Sequence, residues 1–142
     1  MIVMLILFDS SALFKRYAGE AGTARVMELH ERAHTVVLAA HCFCELMSAL
    51  TCQWREGAFD AVEYRRIRGV MREDFGAYRV EPLSRIVEEF AVAAMVQAPL
   101  RAMDALHIGT AQSANAGLFV TADRRQAAAG LAVGLKTELI EV

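Results

Sequence analysis

Four carboxylates interrupt apolar sequence where a strand ends or a helix begins. Asp9 closes the run Leu5-Ile6-Leu7-Phe8, Glu45 follows Thr35–Ala40, Asp104 follows Pro99-Leu100-Arg101, and Asp123 follows Phe119-Val120-Thr121. Burying unpaired carboxylates near one another is costly. A fold that gathers them therefore holds a cation there. Oxygen-only donors suit Mg2+ or Mn2+ and disfavour zinc. One or two such ions orient and activate a water and stabilise the oxyanions of an in-line attack on phosphate. Each acid alone also has a plain structural role, as a helix cap or an exposed helical side chain. The argument for chemistry rests on the set.

The elements that must position these acids follow from the hydrophobic pattern. The apolar run from Met1 to Phe8 reads as a strand buried on both faces. Ser10 or Ser11 is the expected N-cap of a helix carrying Leu13, Phe14 and Tyr17. Asp9 then lies at the carboxyl end of a central strand, where open α/β sheets put their sites. Thr23 to Arg32 reads as a helix with Ala24, Met27 and Leu29 inward, and Thr35 to Ala40 as a β-branched second strand. A helix from His41 to Arg55 carries Phe43, Leu46, Met47 and Leu50 as its apolar stripe, and Gly57 ends it. Asp60 caps a helix from Ala61 to about Arg72, and Tyr78-Arg79-Val80 is a short strand. Ser84 caps a helix through Ile86, Phe90, Val92, Ala93 and Met95. Arg101 to about Ala114 is helical, Leu118 to Thr121 is a strand, Arg124 to Ala129 a helix, and Lys136 to Ile140 an edge strand. This alternation predicts an α/β fold, a three-layer α/β/α sandwich on a mainly parallel sheet, with residues 1–142 as one domain.

Composition narrows the function classes. The chain is 56% hydrophobic, enough for a core without staples, yet no run approaches the roughly 20 apolar residues of a membrane helix. The first residues lack a basic start and a small-residue cleavage site, so a cytoplasmic protein with no membrane association is expected. The net charge of −2 does not by itself indicate a nucleic-acid binder, but Arg65, Arg66, Arg68 and Arg72 crowd one segment, read as a solvated helix face. Three cysteines without a CxxC pair fit a reducing compartment. His41-Cys42-x-Cys44 invites a zinc reading, but residues two apart on a helix point to nearly opposite sides, so buried free thiols are expected instead.

The motifs also resemble a known family. Asp9-Ser10-Ser11-Ala12-Leu13, with Lys15, Tyr17 and Glu20 after it, looks like the opening motif of PIN-domain nucleases. Glu45-Leu46 fits the second motif, Leu100 to Ala111 closely resembles the third, and Phe119-Val120-Thr121-Ala122-Asp123 resembles the fourth. The likeness spans nearly the whole chain in the expected order, and the length matches the VapC-type toxins of toxin–antitoxin pairs. Before Glu45 the family often has a hydroxyl residue where this chain has His41-Cys42-Phe43-Cys44. The resemblance implies a PIN-like fold and a Mg2+- or Mn2+-dependent endoribonuclease with Asp9, Glu45, Asp104 and Asp123 as its acidic cluster. Asp9 and Asp104 would be the most direct ligands, with Glu45 and Asp123 on a second ion or acting through water. It further implies an RNA substrate, a small cognate antitoxin covering the acidic groove, and a homodimer.

Around the acids, Ser10 and Thr121 can orient a carboxylate or water, or simply stabilise turns. Arg101, three residues before Asp104, can steady the acids or meet a phosphate. His107 follows Asp104 by three residues, and packing or hydrogen bonding outweighs proton transfer as its expected role. Arg124, Arg125, Lys15 and Arg16 are candidate phosphate contacts, which position a substrate without reading its sequence. Two other readings use the same residues. One is a phosphate-ester hydrolase without a toxin role. Asp9-Ser10-Ser11 superficially resembles the haloacid-dehalogenase phosphatases, which need a second acid where Ser11 stands. The other is a catalytically idle module that binds RNA or protein.

Overall fold

A computed structural model describes residues 4–141, so the Met1–Val3 portion of the expected first strand lies outside the described residues. Five strands form one parallel sheet: β1 (Leu5–Phe8), β2 (Thr35–Leu38), β3 (Arg79–Val80), β4 (Leu118–Thr121) and β5 (Thr137–Leu139). Their spatial order is β3-β2-β1-β4-β5, with β1 at the centre and β5 at one edge, as its polar sequence predicts. Ile6 pairs with Val36 on one side and with Leu118 on the other. β1 is thereby paired along both edges, and the carboxyl ends of β1 and β4 lie side by side.

Helices cover both faces. Ile6 and Phe8 pack with α1 (Ser10–Leu13), α2 (Thr23–Arg32), α3 (Cys42–Arg55) and α4 (Ala61–Phe75) through Leu13, Leu29, Leu46 and Met71. Leu7, pointing the other way along the pleat, packs with α5 (Arg85–Gln97), α6 (Ala102–Ser113) and α7 (Arg124–Ala132) through Ala94, Ile108 and Ala129. Ile6, Leu7 and Phe8 are fully buried. Burial of that kind is worth about 1.5–3 kcal/mol per side chain, so the two-sided core fixes where β1 ends and hence where Asp9 stands. The three-layer sandwich expected from the pattern is the observed architecture.

Local differences have physical causes. The first helix is one α-turn followed by a 3-10 turn over Phe14–Arg16, and its N-cap is Asp9, not Ser10 or Ser11. In α2, Val26 and Leu29 are buried while Met27 is exposed. In α5 the core side is Val87, Ala91 and Ala94, whereas Ile86, Phe90, Val92 and Met95 face outward. The reason is close approach to α6. A Cβ added at Gly109 would lie 2.4 Å from the Val87 carbonyl oxygen and 3.0 Å from the Ala91 nitrogen, so only small side chains fit between the helices. The cysteines are free, but only Cys42 is buried; Cys44 and Cys52 are exposed, on other faces of α3. Among the described residues, no helix is long and apolar enough to cross a membrane.

Candidate active site

Asp9 leaves the end of β1 and turns directly into α1. Its Oδ1 accepts hydrogen bonds from Ser11 Oγ (2.6 Å) and the Ala12 backbone N–H (3.0 Å), and its Oδ2 accepts one from Thr121 Oγ1 at the end of β4. It is 4% exposed. Burial pushes its carboxyl above the ordinary 3.8, against the lowering effects of His107, Ser11, Thr121 and Ala12. Two oxygens carry about four acceptor sites. Three are occupied, leaving one on Oδ2 for an ion or a water.

Glu45 lies in the first turn of α3. Its Oε1 accepts from Ser10 Oγ (2.8 Å) and from His107 Nε2 (2.6 Å) on α6, and His41 Nε2 lies 3.3 Å away. Burial pushes its carboxyl up, but the His107 hydrogen bond and charge, then Ser10 and His41, outweigh that and leave it below 4.5. Ser10 thus orients Glu45, one of the two roles open to it from sequence. His107 is 2% exposed and forms the hydrogen bond expected of it, with Glu45 as its partner.

Asp104 is half-buried in the first turn of α6. Burial raises its carboxyl above 3.8, and the negative charges of Asp123, Glu45 and Asp9 raise it further, while His107 opposes them. That mutual repulsion is the electrostatic mark of four acids brought together. Asp123 is exposed and caps α7 by accepting from the Arg125 and Gln126 backbone N–H groups at 2.8 and 3.2 Å. Buried Gln126 donates through Nε2 to the Asp104 backbone carbonyl (2.9 Å), joining the starts of α6 and α7. Asp104 and Asp123 line a groove of about 580 Å³ with Pro99, Leu100, Arg101, Arg124 and Arg125.

The structure therefore places Asp9, Glu45, Asp104 and Asp123 at one end of the sheet, with Ser10 and Thr121 holding two of them and Arg101 on the groove wall. Lys15 and Arg16 do not join them. Lys15 is 7% exposed and donates to Glu20 and the Ala21 carbonyl, and Arg16 is paired with Asp74. Both are spent as internal ties, so the phosphate contacts expected of them do not arise. His41 also reaches this site, and its spacing of four residues from Glu45, which places both on one side of a helix, is the sequence signal for it. An all-carboxylate edge with a free acceptor on Asp9 and uncompensated charge on Asp104 is a donor set that fits a hard divalent cation.

The model of the PIN domain matches residues 6–131. No curated protein matches the sequence. Solved structures of similar fold include FitAcB from Neisseria gonorrhoeae, with a TM-score of 0.74 at 14% identity, covering 93% of this chain and 95% of that one. VapBC2 from Rickettsia felis, bound to a DNA fragment from its promoter, superposes with a TM-score of 0.69 at 11% identity, covering 96% and 98%. VapC20 from Mycobacterium tuberculosis, a sarcin–ricin-loop-cleaving toxin, has a TM-score of 0.66 at 20% identity, covering 88% and 95%.

Proposed function

This chain belongs to the PIN-domain family, and on that premise we propose that it is a divalent-metal-dependent endoribonuclease, the toxin of an antitoxin-controlled pair. The observation that carries the reading is the gathering of Asp9, Glu45, Asp104 and Asp123 beside a groove walled by Arg101, Arg124 and Arg125.

Asp9 and Asp104 would hold Mg2+ or Mn2+, with Glu45 and Asp123 taking a second ion or acting through water. Such an ion supplies positive charge that acidifies water and neutralises phosphate oxygens. The protein's own part is positioning. Ser11, Ala12 and Thr121 fix the Asp9 carboxylate, Ser10 and His107 fix Glu45, and the start of α7 fixes Asp123. Arg101, Arg124 and Arg125 would receive the phosphate backbone, setting its place without reading bases. No side chain is needed as a covalent nucleophile.

The antitoxin partner is supported by the structural neighbours, among them a toxin–antitoxin complex from Klebsiella pneumoniae with a TM-score of 0.65. A homodimer is supported by the outward apolar side chains of α5, Ile86, Phe90, Val92, Met95 and Val96. The test is cleavage of total RNA with Mg2+ or Mn2+, with EDTA, and with Asp9→Asn and Asp104→Asn proteins. Metal-dependent cleavage lost in both variants is expected. Undiminished cleavage by the variants would sink the proposal.

A further inference from the structure

Within the acid cluster, two imidazoles flank one carboxylate, that of Glu45. His41 and Glu45 come from one face of α3 and His107 from α6. The donor atoms, one from each residue, all lie within 4.8 Å of one another. Glu45 Oε1 is 2.6 Å from His107 Nε2 and 3.3 Å from His41 Nε2, and the two rings are 4.3 Å apart by their centroids. An ion with tetrahedral bonds of 2.0–2.1 Å spaces its donors by roughly 3.3 Å, so small side-chain rotations bring these three into range.

We propose that His41, Glu45 and His107 bind a borderline divalent transition ion, with Zn2+ as the best match, at a site that overlaps the all-oxygen Mg2+ or Mn2+ cluster at Glu45 alone. Two nitrogens and one carboxylate are a zinc donor set with a fourth position open. Imidazole suits zinc, whereas carboxylates and water suit magnesium. The thiol of Cys42 takes no part. It is buried, and burial pushes it up to about 12. Binding costs His41 its contact with the Met103 carbonyl, now 2.9 Å away, and costs His107 its hydrogen bond to Glu45, the Nε2 proton moving to Nδ1 or leaving to solvent. The buried Nδ1 of His107 has no hydrogen-bond partner among the described residues. A ligating imidazole is usually steadied by an acceptor there, so the affinity should lie about 10–100-fold below that of a fully buttressed site.

Glu45 is shared with the acid cluster, so an ion here withdraws a carboxylate from it. Zn2+ is then an antagonist of any chemistry that needs Mg2+ there. The binding itself does not depend on the nuclease reading.

The test uses the whole chain, stripped of metal and titrated with Co2+, a coloured stand-in for Zn2+. Tetrahedral Co2+ absorbs far more strongly in the visible than octahedral Co2+ on oxygen ligands. A single equivalent of intense absorption is expected, displaced by Zn2+ and resistant to excess Mg2+. His41→Ala and His107→Gln should each weaken Co2+ binding at least about tenfold, while Asp104→Asn leaves it within error. His41 lies near the surface, and circular dichroism verifies that its variant is folded. A pale octahedral spectrum, or equal loss in Asp104→Asn and His41→Ala, would overturn the proposal. Failure of RNA cleavage would leave this spectrum unaffected, so the two proposals fall separately.

Discussion

Thr121 Oγ1 donates to Asp9 Oδ2 across the β1–β4 pair and accepts from the Asp123 backbone N–H at 3.0 Å. One fully buried hydroxyl thus ties together two of the four candidate acids, from segments more than a hundred residues apart. It can do so because β1 and β4 are adjacent in register, Phe8 opposite Val120.

Thr121→Val keeps the shape and removes both bonds. Leaving buried partners unsatisfied costs about 1–3 kcal/mol, so urea unfolding should show a loss of that size and RNA cleavage should fall with it. Thr121→Ser, which restores the hydroxyl, should recover most of both. A Val variant as active and as stable as the parent would remove the hydroxyl from the account.

Asp9 and Asp104 both hold their protons more tightly in the folded chain than the ordinary 3.8, through burial and, for Asp104, through its acidic neighbours. The folded state therefore binds more protons than the unfolded one in this range. Their contribution to the stability of the metal-free protein is complete below about pH 3.8 and is lost as pH rises through the folded values. Asp9→Asn should accordingly raise the melting temperature of the metal-free protein at pH 7 while reducing cleavage about 100- to 1000-fold, the usual scale for losing one preorganised charge contact. Mg2+ at 100 times its Kd should stabilise the parent by about 2.7 kcal/mol and Asp9→Asn by much less. Thermal melts with and without Mg2+ check both points, and a destabilised metal-free Asp9→Asn protein would contradict the electrostatics.

Gly109→Ala should separate α5 from α6, because the new methyl group meets the Val87 carbonyl oxygen. Overpacking of this kind costs about 1–3 kcal/mol. Since α6 also carries Asp104 and His107, cleavage should fall more than the stability loss alone explains. Calorimetry beside an activity assay at a temperature where both proteins are folded separates the two effects.

Arg124 and Arg125 are exposed on the groove wall. Replacing both with Ala should weaken RNA binding without changing its sequence preference. Each lost phosphate contact should flatten the slope of log affinity against log salt by about 0.7 for a single strand. A filter-binding series across salt concentrations reads that slope, and an unchanged slope would place the RNA elsewhere.

The sequence by itself determined the layer architecture and the placement of the four acids at element boundaries. Strand and helix patterns are local. Ile6, Leu7 and Phe8 demanded two covered faces, and β-branched Val36 and Val37 demanded a neighbour. Asp9 and Asp123, at the ends of apolar strands, could be read as facing one sheet edge before any contact was known. The resemblance of the motifs around Asp9, Asp104 and Asp123 to PIN-domain nucleases was equally legible, and the family match is in accord with it.

What only the tertiary structure decided were the pairings across distance and the choice among competing local roles. Nothing near Glu45 in sequence announces His107, which reaches it only because α3 and α6 converge at the same end of the sheet. Lys15 and Arg16 are candidate phosphate contacts by sequence, but Glu20, Ala21 and Asp74 hold them in the folded chain. The core side of α5 followed the small residues Ala91 and Ala94 and not the bulky Ile86 and Phe90, because Gly109 lets α6 come close. Hydrophobicity along the chain states how much a helix wants to be buried. Which side is buried, and what meets it there, depends on the shape of a neighbour that the local pattern does not contain.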